Sequence, residues 1–229
     1  MIEFKNYSCS YDAKSVLENI NFQIPSHLAL LGSNGSGKST LMKSLCKLVK
    51  YRGKVYLDAK DVQEYDAKEL VQQISYVPTK LEVYDEYISV EEYLLLSRFA
   101  YKQRFVNYVK KDYDLVALNL QLLNIAKLAK HKLSALSSGE ASLVLIAAAL
   151  TAQSKTIIFD EPTANLDPKN TKLISQTIKE LKSTHNIIVI THNLELVTYL
   201  GIQTAFIQDK NLFLLDERIT KDELVALYD

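Results

Sequence analysis

The sequence contains few cysteines and no net charge, and each of these absences excludes a class of protein. Only Cys9 and Cys46 occur among 229 residues, and their separation matches no metal-binding spacing, so we expect free thiols in a reducing compartment. Lys and Arg total 27, as do Asp and Glu, which gives a formal net charge of +0. Because this balance creates no global field to attract nucleic acid, we expect no nucleic-acid partner.

The sequence also lacks a long apolar run. Its longest, Leu143–Leu150, is far shorter than the roughly 20 residues that span a bilayer, and Met1–Lys5 lacks the apolar core of a signal peptide. We therefore expect a cytosolic protein that would act at a membrane only through a partner. Internal repeats and an obvious interdomain linker are missing as well.

A glycine-rich loop fits the phosphate-loop template at every fixed position. His27–Leu31 before it predicts a buried strand, and the apolar period over Thr40–Lys50 predicts a helix after it. Loop N–H groups and a helix N-terminus together form an anion site, in which Lys38 would reach the β- and γ-phosphates and Ser39 would ligate Mg²⁺. The predicted phosphate-binding residues are Gly32, Ser33, Asn34, Gly35, Ser36, Gly37, Lys38, Ser39 and Thr40.

Two carboxylates follow a second buried strand. Thr156–Phe159 is apolar, and Asp160 and Glu161 come directly after it, where carboxylates are costly unless a cation or hydrogen bonds compensate. Since ligands bind at the carboxyl ends of parallel strands, Asp160 is suited to hold the hydration shell of Mg²⁺ and Glu161 to polarise an attacking water. The strand Asn186–Ile190 ends near His192, which could contact the γ-phosphate, although an isolated histidine there is more often structural.

The rest of the chain predicts a mixture of strands and helices. Residues 2–24 alternate as antiparallel strands do, whereas residues 90–132 carry helical periodicity without a strand signal. The segment Arg98–Lys132 is basic, which is typical of a solvated face but also fits a docking surface or a contact with anionic headgroups. Capping patterns predict helix starts at Asp66–Glu69, Ser89–Glu92 and Asp167–Pro168.

Several motifs in order together resemble the nucleotide-binding subunit of ATP-binding-cassette (ABC) transporters, over essentially the whole chain. Leu136–Glu140 (LSSGE) is similar to the signature LSGGQ, and it stands just before a Walker B strand at residues 157–161. Ala164–Asp167 is similar to the D-loop, and His192 matches the switch histidine. Tyr11 matches the aromatic residue that stacks on the nucleotide base.

The resemblance implies an α/β fold. It would consist of a P-loop NTPase core with a parallel sheet, an N-terminal antiparallel β subdomain and a helical signature subdomain at about residues 80–150. All of these would belong to a single ABC ATPase domain spanning residues 1–229.

The resemblance also implies an ATPase that uses ATP and Mg²⁺ and pairs head to tail with a second copy of itself. Lys38, Glu161 and His192 would be catalytic, and Ser39 and Asp160 would hold the metal. The signature would bind γ-phosphate in the opposite copy, and Asp167 would belong to the D-loop. The residues of that second anion site would be Ser137, Ser138, Gly139 and Glu140.

The sequence departs from the family pattern in two places. Thr79 replaces the usual glutamine after Tyr-Val-Pro, so its contact with Mg²⁺ is in question. In the signature, Ser138 replaces a glycine and Glu140 a glutamine, and Ala141–Ser142 follow where glutamine-arginine is common.

The segments Tyr76–Pro78 and Ile88–Arg98 are similar to cassettes for uptake of iron-siderophore, haem, cobalamin or metal ions. The expected partners are transmembrane permease subunits and an extracytoplasmic substrate-binding protein, with the ATPase peripheral on the cytoplasmic face of the inner membrane. Alternatives are an exporter subunit, a non-transport ABC ATPase acting on nucleic acid or ribosomes, and a scaffold that binds ATP without useful hydrolysis.

Overall fold

The computed structural model describes residues 1–11, 14–83, 85–102 and 106–215, and the side chain of Tyr11 lies outside the described set. The strands are β1 (Ile2–Tyr11), β2 (Lys14–Ile24), β3 (Leu28–Gly32), β4 (Arg52–Leu57), β5 (Lys60–Asp61), β6 (Ile74–Val77), β7 (Thr156–Asp160), β8 (Asn186–Ile190), β9 (Thr204–Gln208) and β10 (Asn211–Leu214). The α-helices are α1 (Lys38–Leu45), α2 (Ala67–Gln73), α3 (Val90–Leu96), α4 (Lys110–Leu122), α5 (Ser138–Thr151), α6 (Pro168–Leu181) and α7 (Leu194–Leu200). Short 3₁₀ turns cover Val62–Glu64, Phe99–Tyr101, Ala126–Leu128 and Leu133–Ala135.

The central sheet has six strands in the order β10-β9-β3-β8-β7-β6, and all but β10 run parallel. Its middle strands are buried on both faces, which explains their continuous apolar runs. Alternate residues of β7 face two different cores, with Ile157 and Phe159 on one side and Ile158 on the other. The carboxyl ends of β3, β7 and β8 therefore meet at one edge, as the sequence predicts.

A second sheet is antiparallel, with strand order β2-β1-β4-β5, which confirms the N-terminal β subdomain. Its inner face packs on α1 through Phe4, Tyr7 and Leu17. The Tyr7 hydroxyl lies 2.5 Å from Ser44 Oγ of that helix, which ties the sheet to the element that begins at the phosphate loop.

The helix after the loop is shorter than the sequence predicts. It spans Lys38–Leu45 rather than continuing towards Lys50, because Lys47 takes a left-handed conformation with φ of 58°. Leu48, which fits the apolar period, is consequently 66% exposed. The predicted capping boxes at Asp66–Glu69 and Ser89–Glu92 are both present.

Helices α3, α4 and α5 pack together and form the helical subdomain. Among the described residues from Ser89 to the start of α5, the sole strand-like pairing is an isolated bridge between Ser89 and Lys132. No helix within the described ranges combines the length and apolarity needed to cross a bilayer.

Arg98 is not part of a basic surface, contrary to one interpretation of the sequence. It is 4% exposed, and its guanidinium donates to Asp112 Oδ1 (2.9 Å) and to the carbonyl of Thr151 (3.0 Å) at the end of α5. Burial acts to raise the pKa of Asp112, but the bonds from Arg98 and the Val109 N–H outweigh it and hold that pKa below its ordinary value. Through Arg98 the pair joins α4 to the C-terminal end of α5.

We expect Arg98→Met to lower the free energy of unfolding by about 3 kcal/mol, because it leaves the Asp112 carboxylate buried without its cation. The matched control is Lys130→Met, which breaks an exposed ion pair with Glu91 and should change the free energy of unfolding far less, because exposed ion pairs contribute little to stability. Urea unfolding measures both, and the double variant Arg98→Met/Asp112→Leu should recover most of the loss. Equal effects of the two single variants would contradict this assignment.

Candidate nucleotide site

The phosphate loop needs glycine where its backbone turns sharply. Gly32 has φ of 146°, and a Cβ there would lie 2.7 Å from the carbonyl oxygen of Ile207. Gly37 has φ of 103°, and its Cβ would lie 2.8 Å from a methyl carbon of Val16. The loop is therefore closely held between β2 and β9, and larger side chains at these positions would displace it.

Lys38 lies inside the loop. Its Nζ donates to the carbonyl oxygens of Gly32 (2.7 Å) and Ser33 (2.9 Å), and the residue is 7% exposed. Burial lowers the pKa of this amine, while the nearby Glu161 and Asp160 carboxylates act to raise it. The charge is thus held at the centre of the loop, where an anionic phosphate would compensate its burial.

The loop has polar groups left to bind a ligand. The hydroxyl of Ser36 is buried and has no hydrogen-bond partner among the described residues. No side chain caps α1 at Gly37, and its first turn carries no acidic residue, so its leading N–H groups are available. An anion with several acceptor oxygens, such as a triphosphate, fits both features.

Asp160 lies beside the loop at the end of β7. Its Oδ1 accepts a bond from Ser39 Oγ (3.0 Å), and its Oδ2 accepts one from the Tyr76 hydroxyl. A hydroxyl and a carboxylate are hard oxygen donors that suit Mg²⁺. Within the described ranges no group of three or more His, Cys, Asp or Glu could hold a metal unaided. This donor set fits an Mg²⁺ ion that is bound jointly with phosphate oxygens.

The sequence does not identify Tyr76 as a site residue. Burial and the Asp160 carboxylate raise its pKa, so the phenol stays protonated and donates its hydrogen bond. Its place near the carboxyl end of β6, which pairs with β7, brings it beside Asp160. The sequence shows a tyrosine in a short strand. It does not show which strands are neighbours, so it could not place this tyrosine beside the carboxylates.

Glu161 and His192 lie together. His192 Nδ1 is 2.9 Å from Glu161 Oε1, and the Thr191 hydroxyl donates to Glu161 Oε2 (3.1 Å). Glu161 has a left-handed φ of 49°, and its backbone N–H donates to the carbonyl of Ile190 at 2.8 Å. Adjacent strands thus hold a carboxylate and an imidazole at the same edge as Asp160, where they could act on a water and a phosphate.

The predicted signature residues lie at the start of α5. Ser137 is its N-cap, and the Glu140 carboxylate accepts bonds from the Ser137 N–H (3.0 Å) and hydroxyl (2.8 Å), which lowers the pKa of Glu140. Glutamate in place of glutamine therefore completes a capping box. Ser137 and Ser138 are exposed, whereas Gly139 is buried.

Asp167, the predicted D-loop aspartate, lies next to the predicted signature residues. Asp167 caps α6 and accepts bonds from the N–H (2.9 Å) and the amide (2.6 Å) of Asn170. A Cβ on Gly139 would lie 2.5 Å from the Asn170 side chain. The starts of α5 and α6 thus form a second cluster. Among the described residues, no hydrogen bond is seen between this cluster and the phosphate loop.

The contacts predicted for Thr79 and Tyr11 stay predictions. Thr79 is exposed and lines a small recess beside Pro78 and Leu145, and no recorded bond joins its hydroxyl to a described residue. Its contact with Mg²⁺ stays a prediction. The side chain of Tyr11 lies outside the described residues, so its stacking on a base also stays a prediction.

Comparison with known proteins identifies the family. The family model described as "ABC transporter" matches residues 17–164. An uncharacterised ABC transporter ATP-binding protein of Haemophilus influenzae is 35% identical over 221 residues, which cover 95% of this chain and 81% of the relative. A Helicobacter pylori ATP-binding protein assigned to iron chelatin transport is 31% identical over 238 residues, covering 100% of this chain and 93% of the relative.

A solved structure of a transporter assigned to the metal-chelate type, in an inward-facing conformation, is similar with a TM-score of 0.84 and 29% identity. The match covers 99% of this chain and 88% of that one. ABC ATPases related to this chain work as dimers with transmembrane permeases. The chain belongs to the ABC transporter family, as an ATP-binding subunit that hydrolyses ATP with Mg²⁺.

Proposed function

We propose that this subunit powers a permease for the uptake of an iron chelate or a related metal or cofactor. The relative assigned to iron chelatin transport and the transporter of metal-chelate type support this choice. The main support for coupling to a permease is an apolar groove that includes Tyr76 and so reaches the metal-binding edge, which is the end of the central sheet where Ser39 and Asp160 lie. We further propose that residues 1–229 form one ABC ATPase domain.

The groove has a volume of about 570 Å³ and lies between α2, α3 and α5. Exposed apolar side chains stand along it, with Val71 at 37%, Leu96 at 54% and Phe99 at 66% exposure. An apolar surface of this kind is typical of a protein–protein contact. We assign it to a segment of the permease that projects to the cytoplasmic face of the inner membrane, with an extracytoplasmic substrate-binding protein on the other side.

Two copies of the chain would pair head to tail, so that each ATP lies between one phosphate loop and the other copy's signature. The exposed start of α5 supports this arrangement, because Ser137 and the N–H of Gly139 would form an anion site that is separate from the chain's own loop. Asp167, which contacts the same region through Asn170, would lie at the seam between the two copies.

The reaction follows from the groups at the edge of the sheet. Lys38 would exchange its loop carbonyls for the β- and γ-phosphates, and Glu161 would polarise the attacking water. His192, oriented by its contact with Glu161, would hold the γ-phosphate. Ser39 and Asp160 would hold Mg²⁺, which would supply positive charge to balance that developing on the phosphate oxygens.

Purification of the tagged chain from membranes tests the permease assignment. We expect an integral membrane subunit to copurify and Phe99→Asp to abolish its recovery, because a carboxylate cannot be buried in an apolar contact without cost. Leu118→Asp on α4 is the matched control, since Leu118 is 59% exposed but lies outside the groove. Both variants should still bind ATP.

Uptake of radiolabelled iron chelate by cells that lack the chain, complemented with each variant, tests the direction and cargo. We expect the Leu118→Asp variant to restore uptake and the Phe99→Asp variant to fail. Loss of export with normal uptake would favour the alternative, an exporter subunit.

A further inference from the structure

Tyr76 brings the strand β6 into contact with the metal-binding edge. The Tyr76 hydroxyl donates to Asp160 Oδ2, and the Ser39 hydroxyl donates to the other oxygen, Oδ1. Thr79 lies three residues further along and is exposed, and its hydroxyl has no recorded bond within the described part of the chain. The side chain that this strand contributes is therefore a phenol.

Asp160 needs a fixed orientation to serve a metal. The final torsion of an aspartate side chain is broad, so its two oxygens are not held by the backbone alone. Here each oxygen has its own donor, and the residue is only 7% exposed, which leaves little water to replace a missing partner. Partners of this kind orient metal-binding carboxylates and tune their affinity.

The backbone and the ring of Tyr76 also have neighbours that fix their position. Tyr76 lies in a strand that pairs with β7 along its length, opposite Ile158. Its ring lines the apolar groove, and Lys43 Nζ of α1 lies 5.7 Å from the ring centroid. One side chain thus contacts both the groove and the carboxylate at the metal-binding edge.

We propose that Tyr76 is a positioning residue of the ATPase site, which turns the Asp160 carboxylate so that Oδ1 faces Ser39 and Mg²⁺. Tyr76 itself does not ligate the metal, because its hydroxyl proton is committed to Oδ2. The proposal rests on the proposed roles of Ser39 and Asp160. It assigns to Tyr76 the contact between β6 and the metal-binding edge.

Binding of a fluorescent ATP analogue to the purified chain, titrated with Mg²⁺ and repeated in EDTA, tests this role without measuring turnover. We expect Tyr76→Phe to raise the Mg²⁺ concentration at half-maximal stimulation of binding by about 10-fold. Affinity in EDTA and the melting temperature without Mg²⁺ should stay close to those of the unmodified chain. The matched control is Tyr51→Phe, which also removes a tyrosine hydroxyl, one that accepts a hydrogen bond from Gln63. It should leave both the Mg²⁺ midpoint and the affinity in EDTA unchanged.

A double-mutant cycle separates positioning from a general loss of packing. In the Asp160→Asn background, Tyr76→Phe should have little further effect on the Mg²⁺ midpoint, because the group that it orients is already changed. Additive effects, or an unchanged midpoint in Tyr76→Phe, would overturn the role of Tyr76 alone. A failure of the unmodified chain to bind nucleotide in an Mg²⁺-dependent way would overturn the proposed site as well.

Discussion

Glu161→Gln should lower steady-state ATP turnover by about 10³-fold while leaving ATP binding intact, because the amide cannot accept a proton from the attacking water. The substitution preserves the shape of the side chain. An amide oxygen can still accept the bond from the Thr191 hydroxyl, so the left-handed turn at residue 161 should persist.

Phosphate release from ATP measures this effect, and size-exclusion chromatography with Mg-ATP measures its consequence. A variant that binds ATP without hydrolysing it should accumulate as a dimer, since closure is no longer reversed by turnover. Glu64→Gln, at an exposed position away from the edge of the sheet, should behave like the unmodified chain. Undiminished turnover in Glu161→Gln would refute the role of this carboxylate.

Lys38→Ala should weaken ATP binding by about 10²-fold or more. The variant removes the buried cation that would pair with the β- and γ-phosphates, and charge-assisted bonds in a dry site are among the strongest polar contacts. It also leaves the carbonyl oxygens of Gly32 and Ser33 without their donor, and these would repel phosphate.

Isothermal titration with a non-hydrolysable ATP analogue gives the affinity directly. Lys50→Ala removes the same charge from an exposed position just beyond α1, and its affinity should change by less than about 2-fold because exposed charges are screened. Similar losses in the two variants would mean that net charge alone, and not the position of Lys38, determines binding.

The sequence predicts those parts of the site whose residues are adjacent in the chain and form a motif. The phosphate loop at residues 32–39 is one example, since its glycines and its lysine have fixed spacing and its helix begins at Lys38. Asp160 and Glu161 are another, because a buried strand must end where charged groups begin. Local periodicity is enough to find both.

The parts that the sequence does not predict depend on which elements become neighbours. Tyr76 contacts Asp160 because β6 pairs with β7. The four residues of β6 do not indicate which strand will be their neighbour. In the sequence, Arg98 is one of several positive charges in a basic segment. In the fold, the packing of α4 against α5 buries it beside Asp112. Burial and strand order are properties of the whole fold.

The altered signature illustrates a third case. Glu140 looks like a departure from the family pattern, yet glutamate satisfies the same position of a capping box as glutamine does. Ser138 is exposed and keeps the helix start small, while Gly139 is the position where Asn170 leaves no room for a side chain. The capped start of α5 therefore forms although residues 138 and 140 differ from the family pattern.

A crystal structure of the Glu161→Gln variant with Mg-ATP tests the shared binding of ATP most directly. We expect each triphosphate to contact Lys38 of one protomer and the partner subunit's Ser137, both within hydrogen-bond distance of the γ-phosphate. A nucleotide held by one protomer alone in every assembly of the crystal, with the signature remote from it, would contradict the account.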